Sequence, residues 1–291
     1  MVDFKGLATA LVTPFVDGEV DWKAFRNLVR RQVEAGVDFL VPLGSTAETP
    51  CLTDAEKVKI LEIAREESNG LPIVAGAGSN SLTATVQNMR LLDGHGADAY
   101  LIVVPFYNKP TQEGLYQYFK AVAEETDRHV ILYNVPGRTG TNMKTETTLR
   151  LAEIPNITAV KEASGDIAQI IDIKRQAPEG FTVLSGNDDQ TLPLMACGAD
   201  GVISVASNVA PKQMKALTRA VAASDLKEAI RLNNSLMPLY HACFVESNPI
   251  PAKAALSLMG LCRDEMRLPL LPATGGTRTL LADVLRKLQL L

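Results

Sequence analysis

Lys161 ends a short apolar run, Ile157-Thr158-Ala159-Val160, and its setting is the strongest chemical signal in the chain. A lysine whose stem begins inside an apolar strand is partly desolvated, which favours the neutral amine and lowers its pKa. A neutral amine attacks a ketone to form an imine. A strand-end lysine can equally snorkel to solvent or pair with a neighbour, here Glu162. Tyr133 and Tyr107 each follow an apolar run as well. A phenol near such a lysine can shuttle protons while a carbinolamine forms and dehydrates, although a rim tyrosine is often only amphipathic packing. Ser45 and Thr46 follow Gly44. A tight turn there offers N–H groups and hydroxyls to a carboxylate, or simply caps a helix. Arg138 sits in the glycine-flanked GRTGT segment, and its planar fork suits a carboxylate if it does not just face solvent.

These residues lie at the ends of short runs that recur along the chain. Apolar or β-branched stretches occur near 7–12, 37–43, 71–75, 99–104, 129–133, 157–161, 181–185 and 201–205, each closed by Gly, Pro, Ser, Thr or Asn. Between them lie segments of helical period. Residues 21–35 place Trp22, Phe25, Leu28, Val29 and Val33 on one face, and Thr53 with Glu56 forms a capping-box pattern. The stretches 113–127, 166–177 and 211–223 read the same way. Strand–helix alternation predicts parallel strands joined by crossovers, buried on both faces. Eight such units in this length fit a (β/α)8 TIM barrel, with an open doubly wound sheet as the alternative because period alone does not show closure. A barrel over 1–224 would place Ser45, Thr46, Tyr107, Tyr133 and Lys161 at the carboxyl ends of its strands, with Arg138 on a loop just beyond Tyr133. The alternation stops near residue 224, and 225–291 reads as a small C-terminal helical domain, with helical stretches at 225–244, 250–260 and 277–290.

Composition narrows the class of function. Apolar residues make up 46% and charged residues 21% of the 291 residues, as in an ordinary soluble globular protein, and the net charge of −4 with no basic run argues against nucleic acid or anionic membrane as partner. No apolar stretch is long enough to span a membrane, and the opening MVDFKGLATALVTPF lacks the pattern of a secretion signal. Cys51, Cys197, Cys243 and Cys262 form no CxxC, and His95, His129 and His241 are scattered, so reduced, mostly buried thiols, a cytoplasmic location and no structural metal are expected. GAGSNS at 76–81 lacks the spacing of either common phosphate loop.

Four segments together resemble the dihydrodipicolinate synthase family: GSTAET at 44–49, PFYNKPTQEGLYQYF at 105–119, YNVPGRTG at 133–140 and VKEASGD at 160–166. The likeness runs from ALVTPF through LSGNDD and GVISVASNV to FVESNPIPAKAAL, nearly the whole chain. YNVPGRTG is its most specific part, because sister pyruvate-dependent lyases generally lack this arginine. The resemblance implies a lyase that condenses pyruvate with L-aspartate 4-semialdehyde in lysine and diaminopimelate biosynthesis. It implies an imine on Lys161, a proton donor and acceptor at Tyr133, and a relay completed by Ser45 and Tyr107, the latter from a neighbouring subunit. It implies that Thr46 and the main chain at Gly186 and Ile203 hold the pyruvate carboxylate, and that Arg138 holds that of the semialdehyde. No metal or organic cofactor is implied, and a homotetramer built from two dimers is.

The sequence departs from the family at Ser45, usually threonine, at Ala47, usually glycine, and at Phe106, often tyrosine. In members regulated by lysine, a dimer-interface site uses a glutamate, a histidine, an asparagine and that tyrosine. Here Asn80 is kept but Ala84, Lys57 and Phe106 stand at the other positions, which predicts weak or absent inhibition by lysine. The competing readings are a sister aldolase acting on a sugar acid, a non-catalytic barrel that binds a keto acid, and a pyridoxal-phosphate enzyme, for which no phosphate cup is evident.

Overall fold

Eight parallel strands close on themselves in the computed structural model, which describes residues 4–291; the first three residues of the opening segment lie outside the described residues. The strands are β1 (Gly6–Ala10), β2 (Phe39–Val41), β3 (Val74–Gly76), β4 (Ala99–Val103), β5 (His129–Asn134), β6 (Ile157–Glu162), β7 (Thr182–Ser185) and β8 (Gly201–Ser204). They pair in the order β2-β1-β8-β7-β6-β5-β4-β3, and a parallel bridge between Leu40 and Ile73 joins the two ends. That bridge decides for the TIM barrel over the open sheet.

Each strand is followed by a helix: α1 (Trp22–Glu34), α2 (Asp54–Glu67), α3 (Leu82–Leu92), α4 (Gln112–Glu124), α5 (Thr145–Ala152), α6 (Ile167–Gln176), α7 (Thr191–Ala196) and α8 (Pro211–Ala222). Three more follow, α9 (Leu226–Ala242), α10 (Ile250–Leu258) and α11 (Gly275–Lys287), and among the described residues no helix is long and apolar enough to cross a membrane. The Thr53–Glu56 capping box forms as the sequence predicts: Glu56 Oε2 accepts from the Thr53 N–H at 2.8 Å and Thr53 Oγ1 accepts from the Glu56 N–H at 3.3 Å. Such caps contribute about 1 kcal/mol each.

Strand alternation sorts the buried side chains into two layers. Ala8, Ala10, Phe39, Val41, Val74, Leu101, Ile131, Tyr133, Ala159, Leu184 and Ile203 fill the barrel interior. Their neighbours, Leu7, Leu40, Ile102, Leu132, Val160 and Val202 among them, face outward into the core beneath the helices. Burying each large aliphatic side chain contributes about 1.5–3 kcal/mol.

Boundaries differ from the sequence expectation where a side chain or a turn intervenes. The first strand ends at Ala10 rather than residue 12, because the Val12 N–H is taken by Asn208 Oδ1 at 3.2 Å instead of by a strand. The second strand stops at Val41, since Leu43 turns into the left-handed region at φ 60°. All four cysteines are unpaired, but only Cys243 is buried, which corrects the expectation of mostly buried thiols.

Candidate active site

Lys161 and Tyr133 meet because of a register shift. Their strands pair Val130 with Ile157 but Ile131 with Ala159, so Thr158 is skipped, and from there Tyr133 stands opposite Lys161. Had the register continued unshifted from Val130 and Ile157, Tyr133 would face Val160, which points out to the helices. With the shift, both side chains point into the barrel, and the Lys161 Nζ lies 4.4 Å from the centroid of the Tyr133 ring.

Lys161 is 5% exposed. Its burial lowers its pKa to about 8; Asp188 opposes that fall and Arg138 adds to it. The pairing with Glu162 that the sequence left open does not occur. Glu162 is on the outward face of the strand, and its carboxylate accepts from Asn134 Nδ2 at 3.1 and 3.0 Å, the Ser164 N–H at 2.8 Å and Gln169 Nε2 at 3.2 Å. Burial also pushes the Tyr133 phenol up, so it stays protonated at neutral pH, with Arg138 pulling the other way. A neutral phenol beside a partly neutral amine is a proton donor next to a nucleophile.

Gly186, just past β7, allows this arrangement. A Cβ at that position would stand 3.1 Å from Lys161 Cε and 2.7 Å from the Ala163 Cβ. Ile203 packs in the same interior layer as Tyr133. Two residues after Gly186, Asp188 enters the sequence only as part of LSGNDD, with no role read for it. One of its oxygens accepts from the N–H groups of Val205 at 3.1 Å and Ala206 at 2.8 Å, the other has no partner, and burial pushes the carboxyl up.

A cavity of about 630 Å³ opens onto this point, with Ser45, Tyr133, Arg138, Phe106 and Asn248 in its wall. The glycines of the 76–81 segment belong to its floor. A Cβ on Gly76 would lie 2.0 Å from the Leu43 carbonyl oxygen and one on Gly78 2.5 Å from the Val103 nitrogen. Backbone crowding therefore accounts for those glycines without a phosphate.

The turn at Ser45–Ala47 uses two of its N–H groups internally, Ala47 to the Gly44 carbonyl at 3.0 Å and Glu48 to that of Ser45 at 3.2 Å. What it offers a ligand is chiefly hydroxyls. Thr46 is buried, and its Oγ1 accepts from Asn248 Nδ2 at 2.9 Å, which leaves its own hydrogen free to donate. The Ser45 side chain is exposed on the cavity wall. Arg138 lies on the single turn Pro136–Thr139 after β5, and its guanidinium donates to the Asn248 carbonyl at 2.8 Å. Asn248 thus touches both Thr46 and Arg138. In sequence Asn248 stands out only as part of the FVESNPIPAKAAL segment, since a contact across 202 and 110 residues leaves no trace in local pattern.

Tyr107 is the one predicted site residue that the chain does not bring to the others. It is 88% exposed and held at φ 72°, next to Phe106, which is 40% exposed.

A barrel whose interior ends in a desolvated lysine beside a tyrosine, with an arginine across the cavity, agrees with the likeness drawn from the motifs. The model of the dihydrodipicolinate synthetase family matches residues 3–288. The chain belongs to that family. It is 48% identical over 293 residues to the 4-hydroxy-tetrahydrodipicolinate synthase of Thermotoga neapolitana, covering 99% of this chain and 100% of that one. It is 50% identical over 283 residues to the synthase of the same name from Koribacter versatilis, covering 96% and 94%. The crystal structure of the Thermotoga maritima dihydrodipicolinate synthase superposes with a TM-score of 0.97 at 46% identity and covers 99% of both chains. The match runs over nearly the whole chain, barrel and C-terminal helices alike.

Proposed function

We propose that this lyase condenses pyruvate with L-aspartate 4-semialdehyde through an imine on Lys161, giving 4-hydroxy-tetrahydrodipicolinate for lysine and diaminopimelate biosynthesis. The observation that carries the reading is the lysine itself: buried, without a carboxylate in hydrogen-bond reach, and lowered to about 8 beside a protonated tyrosine. The neutral Lys161 amine adds to the pyruvate ketone, Tyr133 supplies and removes protons, and water leaves. The iminium acidifies the pyruvate methyl group, which loses a proton to give an enamine. The enamine carbon attacks the aldehyde, and the new alkoxide takes a proton. The amine of the second substrate then displaces Lys161 and closes the six-membered ring.

Thr46, with a free hydroxyl hydrogen, and the main chain at Gly186 and Ile203 hold the pyruvate carboxylate. Arg138, on the exposed side of the cavity, receives the carboxylate of the semialdehyde. Ser45 and Tyr107 extend the proton relay from Tyr133 to solvent. Tyr107 is 88% exposed and is not part of the wall of its own cavity, which suits delivery into that of a second copy, and the 40% exposed Phe106 beside it, on that wall, suits a contact at the cavity mouth. A homotetramer of two such dimers, a cytoplasmic location, activity without an added cofactor, and a division into a 1–224 barrel and a 225–291 helical domain complete the reading.

Borohydride treatment with and without pyruvate, followed by peptide mass mapping, tests it. A pyruvate-dependent adduct on Lys161 is expected. Folded protein that gives no adduct, or gives one elsewhere, would overturn the imine assignment.

A further inference from the structure

Beside the site lies a second buried lysine that the chemistry above does not use. Lys253, on α10, is 0% exposed, and its Nζ donates to Glu48 Oε1 at 2.7 Å. Glu48 is itself fully buried. Its other oxygen accepts from the Arg267 N–H at 3.1 Å. The Lys253 Nζ and the Arg267 guanidinium both stand on the Phe15 ring, at 4.2 and 4.5 Å from its centroid. Glu48 also holds a left-handed backbone, φ 55° and ψ 34°, at the joint between the Ser45–Ala47 and Thr49–Cys51 turns. A non-glycine residue keeps that conformation when its surroundings over-determine it, and here both carboxylate oxygens are anchored.

The position of this pair matters more than its strength. Glu48 is two residues beyond Thr46, and Lys253 is five beyond Asn248. Thr46 and Asn248 are hydrogen-bonded to each other, and the Asn248 carbonyl holds Arg138. Two contacts therefore join the β2 turn to α10 and the segment before it, one charged and sealed, one neutral and at the cavity. The charged one ties α10 to the β2 turn five residues past the Asn248 carbonyl that accepts from Arg138. A buried ion pair adds little net stability over an apolar replacement, but it tolerates little displacement.

We propose that Glu48 and Lys253 form a positioning clamp that sets Arg138, through Asn248, for the carboxylate of the second substrate. This rests on the role given to Arg138 above. The clamp acts on the aldehyde half-reaction and leaves the Lys161–Tyr133 pair, which stands on other strands, in place.

The test compares wild type with Glu48→Gln/Lys253→Met, which removes both charges together, and with Glu48→Asp, which keeps the charge but draws it back by one methylene. Each is assayed as purified full-length enzyme for KM and kcat with both substrates and for the borohydride adduct with pyruvate. The expected result is a KM for the semialdehyde raised about tenfold in both variants, a smaller change in kcat, and an unchanged pyruvate adduct. A folded variant with the semialdehyde KM within about twofold of wild type, or with both KM values raised equally, would overturn the clamp. Failure of both variants to fold would also overturn it, reducing the pair to a stability element. Wild-type protein that forms no adduct would sink the functional reading itself, an outcome separate from either.

Discussion

Two lysines are buried among the described residues, Lys161 beside Tyr133 and Lys253 against Glu48, and their environments are opposite. Lys253 has a carboxylate at 2.7 Å and an aromatic face beneath it. Burial pushes its pKa down, and Glu48 pulls it back up. Lys161 has a tyrosine ring for company, and its nearest acidic neighbour in sequence, Glu162, is turned away and fully engaged. Partnered burial fixes a charge in place and makes it structural. Unpartnered burial keeps the charge unstable, and an amine that readily gives up its proton is a nucleophile. What distinguishes the reactive lysine is therefore the company that strand geometry gives it, since both are comparably buried.

The largest expected difference between them is in activity. Lys161→Ala is expected to lower kcat by at least about 10³-fold while leaving the circular dichroism spectrum unchanged, because nothing else in the site can form the imine. Residual activity within tenfold of wild type would mean the wrong lysine has been assigned.

Stability should separate the two in sign. Lys253→Met leaves Glu48 buried without its cation and should destabilise by about 3–5 kcal/mol in denaturant titration. Lys161→Met should instead raise the melting temperature at pH 7 by a few degrees, since it removes a charge that the fold holds at a cost. The pH dependence has a definite sense. The folded pKa of Lys161, about 8, lies below the 10.5 of an ordinary solvated lysine, so the unfolded chain binds the proton more tightly. The cost is fully present below about pH 8 and fades as pH rises toward 10.5. The gain from Lys161→Met should therefore shrink across that window, and a gain independent of pH would contradict the assigned shift.

A smaller effect concerns rate against pH. In wild type, kcat/KM for pyruvate should climb about tenfold per pH unit below 8 and level off above it, as the neutral amine becomes the dominant form. A profile flat from pH 6 to 9 would mean that Lys161 is neutral throughout, with a pKa well below the value its burial gives.

The smallest expected effect is none at all. Lys57 is engaged with Asp54 at 2.9 Å, and if it and Ala84 stand where the family resemblance implies a lysine site, the ligand would find no acidic partner at those two positions. Lysine at about 1 mM should leave the rate unchanged. Clear inhibition below that concentration would show that a third ammonium finds a welcome the two buried ones do not explain.

The sequence by itself determined the repeating strand–helix units, the capping box at Thr53, and the end of a strand as the place where Lys161 and Tyr133 would stand, with Arg138 on the loop just beyond Tyr133. Those features are local: a period of two or of 3.6, a capping residue, an apolar run ended by a polar one. Closure of the barrel was decided only by the meeting of β2 and β3 through Leu40 and Ile73, which no window of sequence contains. The facing of Lys161 and Tyr133 was decided by one skipped residue, Thr158, because a one-residue slip in a strand reverses every side chain after it. Asp188, Asn248 and the Glu48–Lys253 pair were invisible for a related reason. Each acts across the chain, and a carboxylate or amide in a loop looks alike in sequence whether it meets water or a buried partner 205 residues away. Local pattern placed the reactive groups at the mouth of the barrel, and long-range packing chose their neighbours, which set both their charge and their use.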